Sequence, residues 1–233
     1  DLTVRVLDLM KNTHEIEGNI ITFNIALKRL AKQGNTDACE GMILGMLKEG
    51  VEPTVVSYTT AIASCVSNKE AKQPAMAYEW LKRMRSRRVN PNVVTYNTAM
   101  ASCLDGKLES SVLGSLIASE MLRDVEFQLT ANKPDEVDNY SNVIPDSSSK
   151  FLARRLVEQL DKSIEASEID ARVADETIKM PLNAMANYVN CDTDECFLEQ
   201  VSIGKLKEED QISATSDNEM ELEKRLSLKF AEV

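Results

Sequence analysis

The sequence predicts an all-α fold, a solenoid of stacked helical hairpins closed by a helical cap, and three observations carry that prediction. The first is a recurring segment. VVSYTTAIASC at 55–65 and VVTYNTAMASC at 93–103 share eight of eleven residues, differing at Ser57/Thr95, Thr59/Asn97 and Ile62/Met100. A third copy, IITFNIALKRL at 20–30, keeps Thr22, Asn24 and Ala26 and carries Phe23 in place of tyrosine. The second is that apolar residues inside each unit recur at helical spacing. The third is composition: 8 glycines and 6 prolines in 233 residues are too few for a turn-rich β sandwich.

The copies start at Ile20, Val55 and Val93, giving periods of 35 and 38 residues, the range of stacked helical repeats. Residues 1–19 read as the second helix of a truncated unit. In the unit 20–54 the apolar positions are Ile21, Ala26, Leu27 and Leu30, then Ala38, Cys39, Met42, Ile43 and Met46 after a break at Gly34-Asn35. This is a pair of amphipathic helices, and it ends at Gly50-Val51-Glu52-Pro53-Thr54, where proline prevents the helix from continuing. The unit 55–92 holds three extra residues near Asn68 to Pro74. Proline is tolerated in a first turn, so the second helix is expected from Pro74, with Ala77, Leu81 and Met84 in phase with Cys39, Ile43 and Met46. This unit ends on Arg88-Val89-Asn90-Pro91-Asn92; the unit 93–127 lacks such an ending.

Residues 128–145 read as a connection. VDNYSNVI at 137–144 faintly echoes VVTYNTAM, and Pro145 breaks it. Asp146-Ser147-Ser148 is a helix start, followed by Phe151, Leu152, Leu156, Val157, Leu160 and Ile164 at helical spacing. With further apolar segments at Ile169–Ile178 and from Pro181 to Val189, residues 146–204 are expected to form a helical cap over the last unit's apolar face. Residues 205–233 are acidic and polar, and disorder or one loosely attached helix through Met220, Leu222, Leu226 and Leu228 is expected.

The net charge of −11 has a consequence for partners only through its distribution. Residues 1–130 carry 15 basic and 15 acidic side chains, so the whole surplus lies in 131–233 and the repeats themselves are neutral. Phosphate contacts in the repeat region are therefore not excluded. The five cysteines lack close pairing, which argues against a disulfide framework and for a reducing compartment. Cys39, Cys65 and Cys103 read as core, while Cys191 and Cys196 in CDTDEC lack a nearby histidine and the usual zinc spacing. No metal and no cofactor is expected. A single histidine, His14, removes most triads with a distant base, and without any Cys-x-x-Cys there is no zinc deaminase signature. Asp192, Asp194 and Glu195 read as a solvated loop, so no enzyme is expected. No run approaches the roughly 20 apolar residues of a membrane span, and no signal-peptide pattern opens the chain.

A period near 35 with paired helices fits two repeat families. The Trp-x-x-Leu-Gly-x-x-Tyr pattern of tetratricopeptide units is absent from all three copies. The opening VVTYN at 93–97, preceded by a unit end like Val89 to Asn92, instead resembles the pentatricopeptide repeat over residues 20–124, more weakly over 1–19. That resemblance implies a right-handed α-solenoid of helix-turn-helix repeats that binds single-stranded RNA, one base per unit. It also implies a role in RNA processing, stability or translation in mitochondria or plastids.

In that family the fifth and last residues of a unit contact the base edge and the second wedges between bases. By position the edge pairs are Asn24 with Thr54 and Thr59 with Asn92; Asn97 opens a third pair whose partner is not placed. The wedges are Ile21, Val56 and Val94. Lys28, Arg29 and Lys32, on a first helix, are placed to meet RNA backbone. Lys82, Arg83, Arg85, Arg87 and Arg88 fall on a second helix, which lies on the outer face, and read as a solvated helix end favoured by the macrodipole. The same Asn and Thr residues also suit helix capping. An Asn-Thr pair tends to favour a pyrimidine and a Thr-Asn pair adenine, so the implied target is pyrimidine, adenine, pyrimidine, read 5′ to 3′ along the units. The alternative is a protein–protein scaffold of the same fold, engaging partners through its outer face or cap, because three units read few bases.

Overall fold

The computed structural model describes residues 19–68, 72–130, 143–166 and 178–188. The helix expected before Asn19, nearly all of the segment 169–178, the CDTDEC stretch and the tail from 205 lie outside the described residues. Among those described there are eight helices and no strand. They are α1 (Ile20–Gln33), α2 (Thr36–Lys48), α3 (Val55–Ser67), α4 (Pro74–Ser86), α5 (Val93–Ser102), α6 (Leu108–Thr130), α7 (Ser147–Ala166) and α8 (Lys179–Tyr188).

The helices form four consecutive hairpins. The first helices pack in series, α1 on α3, α3 on α5 and α5 on α7, while α4 packs on α6 and α6 on α8. Sequence explains the close series. The seventh residue of every first helix is alanine, Ala26, Ala61, Ala99 and Ala153, each 0% exposed. A methyl side chain at the crossing lets two helix axes approach where a larger one would hold them apart. Phe23, Tyr58 and Tyr96 are buried three residues before the alanine in their helices, and the second helices fill the core with Cys39, Met42, Ile43 and Met46, then Ala77, Trp80, Leu81 and Met84.

The turns are built by particular residues. Gly34 ends α1 in the left-handed region, φ 69°, and the Asn35 side chain then caps α2 by accepting from the Ala38 N–H at 3.0 Å. A Cβ on Gly34 would lie 2.5 Å from Asn68 Cα and from the Ser67 carbonyl oxygen, so the next unit's first helix ends against this glycine. Asn68 Nδ2 donates to the Gly34 carbonyl at 3.1 Å across that contact. The three-residue insertion in the second unit leaves α4 starting on Pro74 and supplies Lys72, whose Nζ donates to the Ala101 and Leu104 carbonyls at the end of α5, 3.1 and 2.9 Å.

α6 is 23 residues long and runs to Thr130, past the unit end expected at 127, because no proline or glycine interrupts it after Gly114. Gly114 itself faces α7: a Cβ there would meet Leu156 Cδ1 at 2.8 Å. Gln159 of α7 spans the α5–α6 connection, donating to the carbonyls of Cys103 and Lys107 and to Ser111 Oγ while accepting from the Gly106 N–H. The region read as a cap thus begins with a fourth hairpin, α7 with α8, stacked on the third as the third is on the second. The echo at 137–144 lies mostly outside the described residues, and its last two, Val143 and Ile144, are not helical.

Candidate nucleic-acid interface

Each of the three junctions between units among the described residues carries a hydrogen-bonded triad at the same positions. It joins the fifth residue of one first helix, the third residue of the next, and the residue that precedes that next helix. At the first junction Ser57 Oγ donates to Asn24 Oδ1 at 2.7 Å and accepts from the Thr54 N–H at 3.2 Å. At the second the hydroxyls of Thr59 and Thr95 lie 2.7 Å apart, and Thr95 donates to Asn92 Oδ1 at 2.8 Å. At the third Ser149 Oγ lies 2.8 Å from Asn97 Oδ1 and 3.1 Å from Asp146 Oδ1, and Asn97 Nδ2 donates to Asp146 Oδ1 at 3.0 Å.

The structure therefore brings Asn24 together with Thr54, and Thr59 with Asn92, through a shared hydroxyl in each case. It also puts Asp146 beside Asn97. Asp146 is the residue that precedes α7, as Thr54 precedes α3 and Asn92 precedes α5, and its place was not legible because the connection before it has no repeat ending. Two signals were present in the sequence: hydroxyl residues at the third position, Thr22, Ser57, Thr95 and Ser149, and the Asp146-Ser-Ser-Ser149 helix start that parallels Asn92 to Thr95. The same residues cap their helices. Asn92 Oδ1 accepts from the Thr95 N–H at 2.8 Å and Asp146 Oδ1 from the Ser149 N–H at 2.9 Å. For Asn92 that leaves the Nδ2 group as the donor side of the amide.

Beside the triads runs a second, apolar line. Ile21, Val56 and Val94, the second residues of their helices, are 65%, 60% and 55% exposed. Side chains that packed within the fold would be covered, so these three face outward on the same stripe as Asn24, Thr59 and Asn97, which are half-buried. Charge is confined to the ends of the row. α3 and α5 contain no charged residue. Lys28, Arg29 and Lys32 of α1 are exposed and line an open depression with Ile25 and Gln33.

The cationic end of α4 is spoken for in part by acidic neighbours. Lys82 pairs with Glu79 at 3.3 Å, Arg83 with Glu40, and Arg85 with Asp124 at 2.9 Å and Glu120 at 3.7 Å. Tyr96 Oη donates to the same Asp124 Oδ2 at 2.6 Å, so this network ties α4, α5 and α6 together. Arg87 and Arg88 are exposed.

Partial burial alone would raise the Asp146 carboxyl, but the N–H of Ser149, the Asn97 amide and the Ser149 hydroxyl outweigh it and hold the group below the usual carboxylate range. It is ionised at neutral pH. Burial pushes the thiol of Cys39 up to about 11 and those of Cys65 and Cys103 up to about 12, which makes them inert core groups. Among the described residues no group of three or more His, Cys, Asp and Glu could hold a metal ion, and no helix is long and apolar enough to cross a membrane.

Stacked helical hairpins with one polar motif repeated at every junction define a helical-repeat protein. Residues 5–68 and 67–105 match the model of the pentatricopeptide repeat domain. Over those residues the chain thus carries pentatricopeptide repeats, units of a helical-repeat family linked generally to RNA binding. No curated protein matches it significantly. The fourth hairpin lies beyond the matched span.

Proposed function

We propose that the row α1, α3, α5 and α7 binds single-stranded RNA with sequence preference, reading one base at each triad and separating the bases with Ile21, Val56 and Val94. The observation that carries this reading is the equivalence of the three triads, each presenting amide, hydroxyl or carboxylate groups beside an exposed apolar side chain. Asn24/Thr54 favours a pyrimidine and Thr59/Asn92 adenine. At Asn97/Asp146 the carboxylate can only accept and Asn97 Nδ2 supplies a donor beside it, so the pair suits a base edge that offers a donor next to an acceptor. Uracil, with N3–H next to O4, is a pyrimidine edge that meets both demands, and it is the base used in the test. Lys28, Arg29 and Lys32 hold phosphate at the α1 end. The setting proposed is RNA processing, stability or translation in a mitochondrion or plastid, by steric protection or recruitment of other factors and without catalysis.

The test is filter binding of the chain to an RNA containing pyrimidine, adenine and uracil in succession, and to the same RNA with the adenine changed to cytosine. One well-read base contributes about 1–3 kcal/mol, so the change should weaken binding by roughly 5- to 150-fold. Affinity should also fall steeply with salt. Equal binding of both RNAs sinks base reading, and retention of no RNA alongside capture of a protein partner supports the scaffold instead.

A further inference from the structure

The fourth first helix departs from the others at the positions that face outward. Numbering each from its first residue, the fifth position is Asn24, Thr59, Asn97 and then Phe151, and the second is Ile21, Val56, Val94 and then Ser148. The alignment does not rest on counting alone. Ser149, the third residue of α7, makes the bond to Asn97 that Ser57 makes to Asn24, so Phe151 stands two residues past the triad hydroxyl, as Thr59 and Asn97 do. Phe151 is 61% exposed, while Leu152, Leu156 and Leu160 of the same helix are buried. The ninth position is Lys28, Ala63, Ala101 and then Arg155, so cations occupy the two ends of the row and alanine the middle. Arg154 and Arg155 are exposed one turn beyond Phe151, and Glu158 ends the cationic stretch.

We propose that Phe151 is a stacking platform for the base that follows the one at Asn97/Asp146, and that Arg154 and Arg155 hold the phosphate beside it. The inference rests on the RNA-binding reading above and extends it by a position that is occupied without being read. A phenyl face has no donor or acceptor with which to tell bases apart, yet every base has a π-face to lay on it, and guanidinium groups next to an aromatic ring suit a phosphate–base step. The absence of a wedge at Ser148 fits the same role, since a stacked base is held by the ring and needs no apolar separator. The row then reads three bases and clamps a fourth.

The experiment uses the full chain and RNAs that carry pyrimidine, adenine and uracil followed on the 3′ side by adenine, uracil or an abasic nucleotide. Wild type should bind the adenine and uracil versions within about twofold of each other and the abasic version about 5- to 150-fold more weakly. Phe151→Ala, at an exposed position, should keep its helix content by circular dichroism, bind all three equally and retain discrimination at the central adenine; Phe151→Trp should restore the difference. In a 2-aminopurine version of the fourth base, quenching on binding should disappear in Phe151→Ala. If wild type binds abasic and base-bearing RNAs equally while still rejecting the central cytosine, the platform is overturned and base reading stands. If it binds none of them, both are overturned.

Discussion

Gly34 and Gly50 both sit in the left-handed region, at φ 69° and 71°, and differ in what lies beyond them. A Cβ on Gly50 would meet nothing within 4 Å, whereas on Gly34 it would fall 2.5 Å from Asn68 Cα, 2.5 Å from the Ser67 oxygen and 2.7 Å from the Asn68 nitrogen. Gly50→Ala therefore carries only the conformational cost of alanine at positive φ, about 1–2 kcal/mol, partly offset by its less flexible unfolded chain. Gly34→Ala carries that same cost and more. All three close atoms are backbone, so relief requires the end of α3 to shift; overpacking of this kind costs about 1–3 kcal/mol, and loss of the 3.1 Å Asn68–Gly34 bond adds about 1. Gly34→Ala should then lose about 3–5 kcal/mol and Gly50→Ala about 1. Urea denaturation of both variants measures the difference, and native-state hydrogen exchange of Gly34→Ala should show weakened protection concentrated at α1 and α2, since units in a repeat array are coupled through their nearest neighbours. Equal losses for the two variants would refute the claim that the first junction depends on close approach at Gly34.

Two further expectations concern stability. Arg88 takes the place of Gly50 in the next unit and is the described non-glycine residue at positive φ, 60°; Arg88→Gly should stabilise the protein by about 0.5–1 kcal/mol in urea melts, and a loss of stability would show that its side chain makes a contact of greater value. The Cys103 thiol, pushed by burial from 9.0 to about 12, keeps its proton where an unfolded thiol loses one, so its contribution is fully present below about pH 9 and is lost as pH rises toward 12. Between pH 9 and 11 the stability of wild type should fall more steeply than that of Cys103→Ala, by about 1.4 kcal/mol per pH unit, and parallel curves would contradict the assignment.

Much of this architecture is legible in the residues because the information is local. Helical periodicity, the stops at Pro53 and Pro91, the start at Pro74 and the near-identity of 55–65 with 93–103 are statements about neighbours in the chain, and they determine that the fold is a row of hairpins. The same holds for candidate base contacts, since a repeated helix presents its second and fifth residues alike in each copy. What the sequence could not determine is which residues meet across a junction. Asp146 lies 49 residues from Asn97, beyond a connection with no repeat ending, and joins it only because α7 packs on α5. Phe151 reads as one more apolar residue at helical spacing, and becomes distinctive only when Ala153 is found in the buried alanine column and its own ring is left outside. Pattern within a helix is local chemistry and can be read along the chain; the partner of a side chain on the next helix is chosen by packing, and only the tertiary structure decides it.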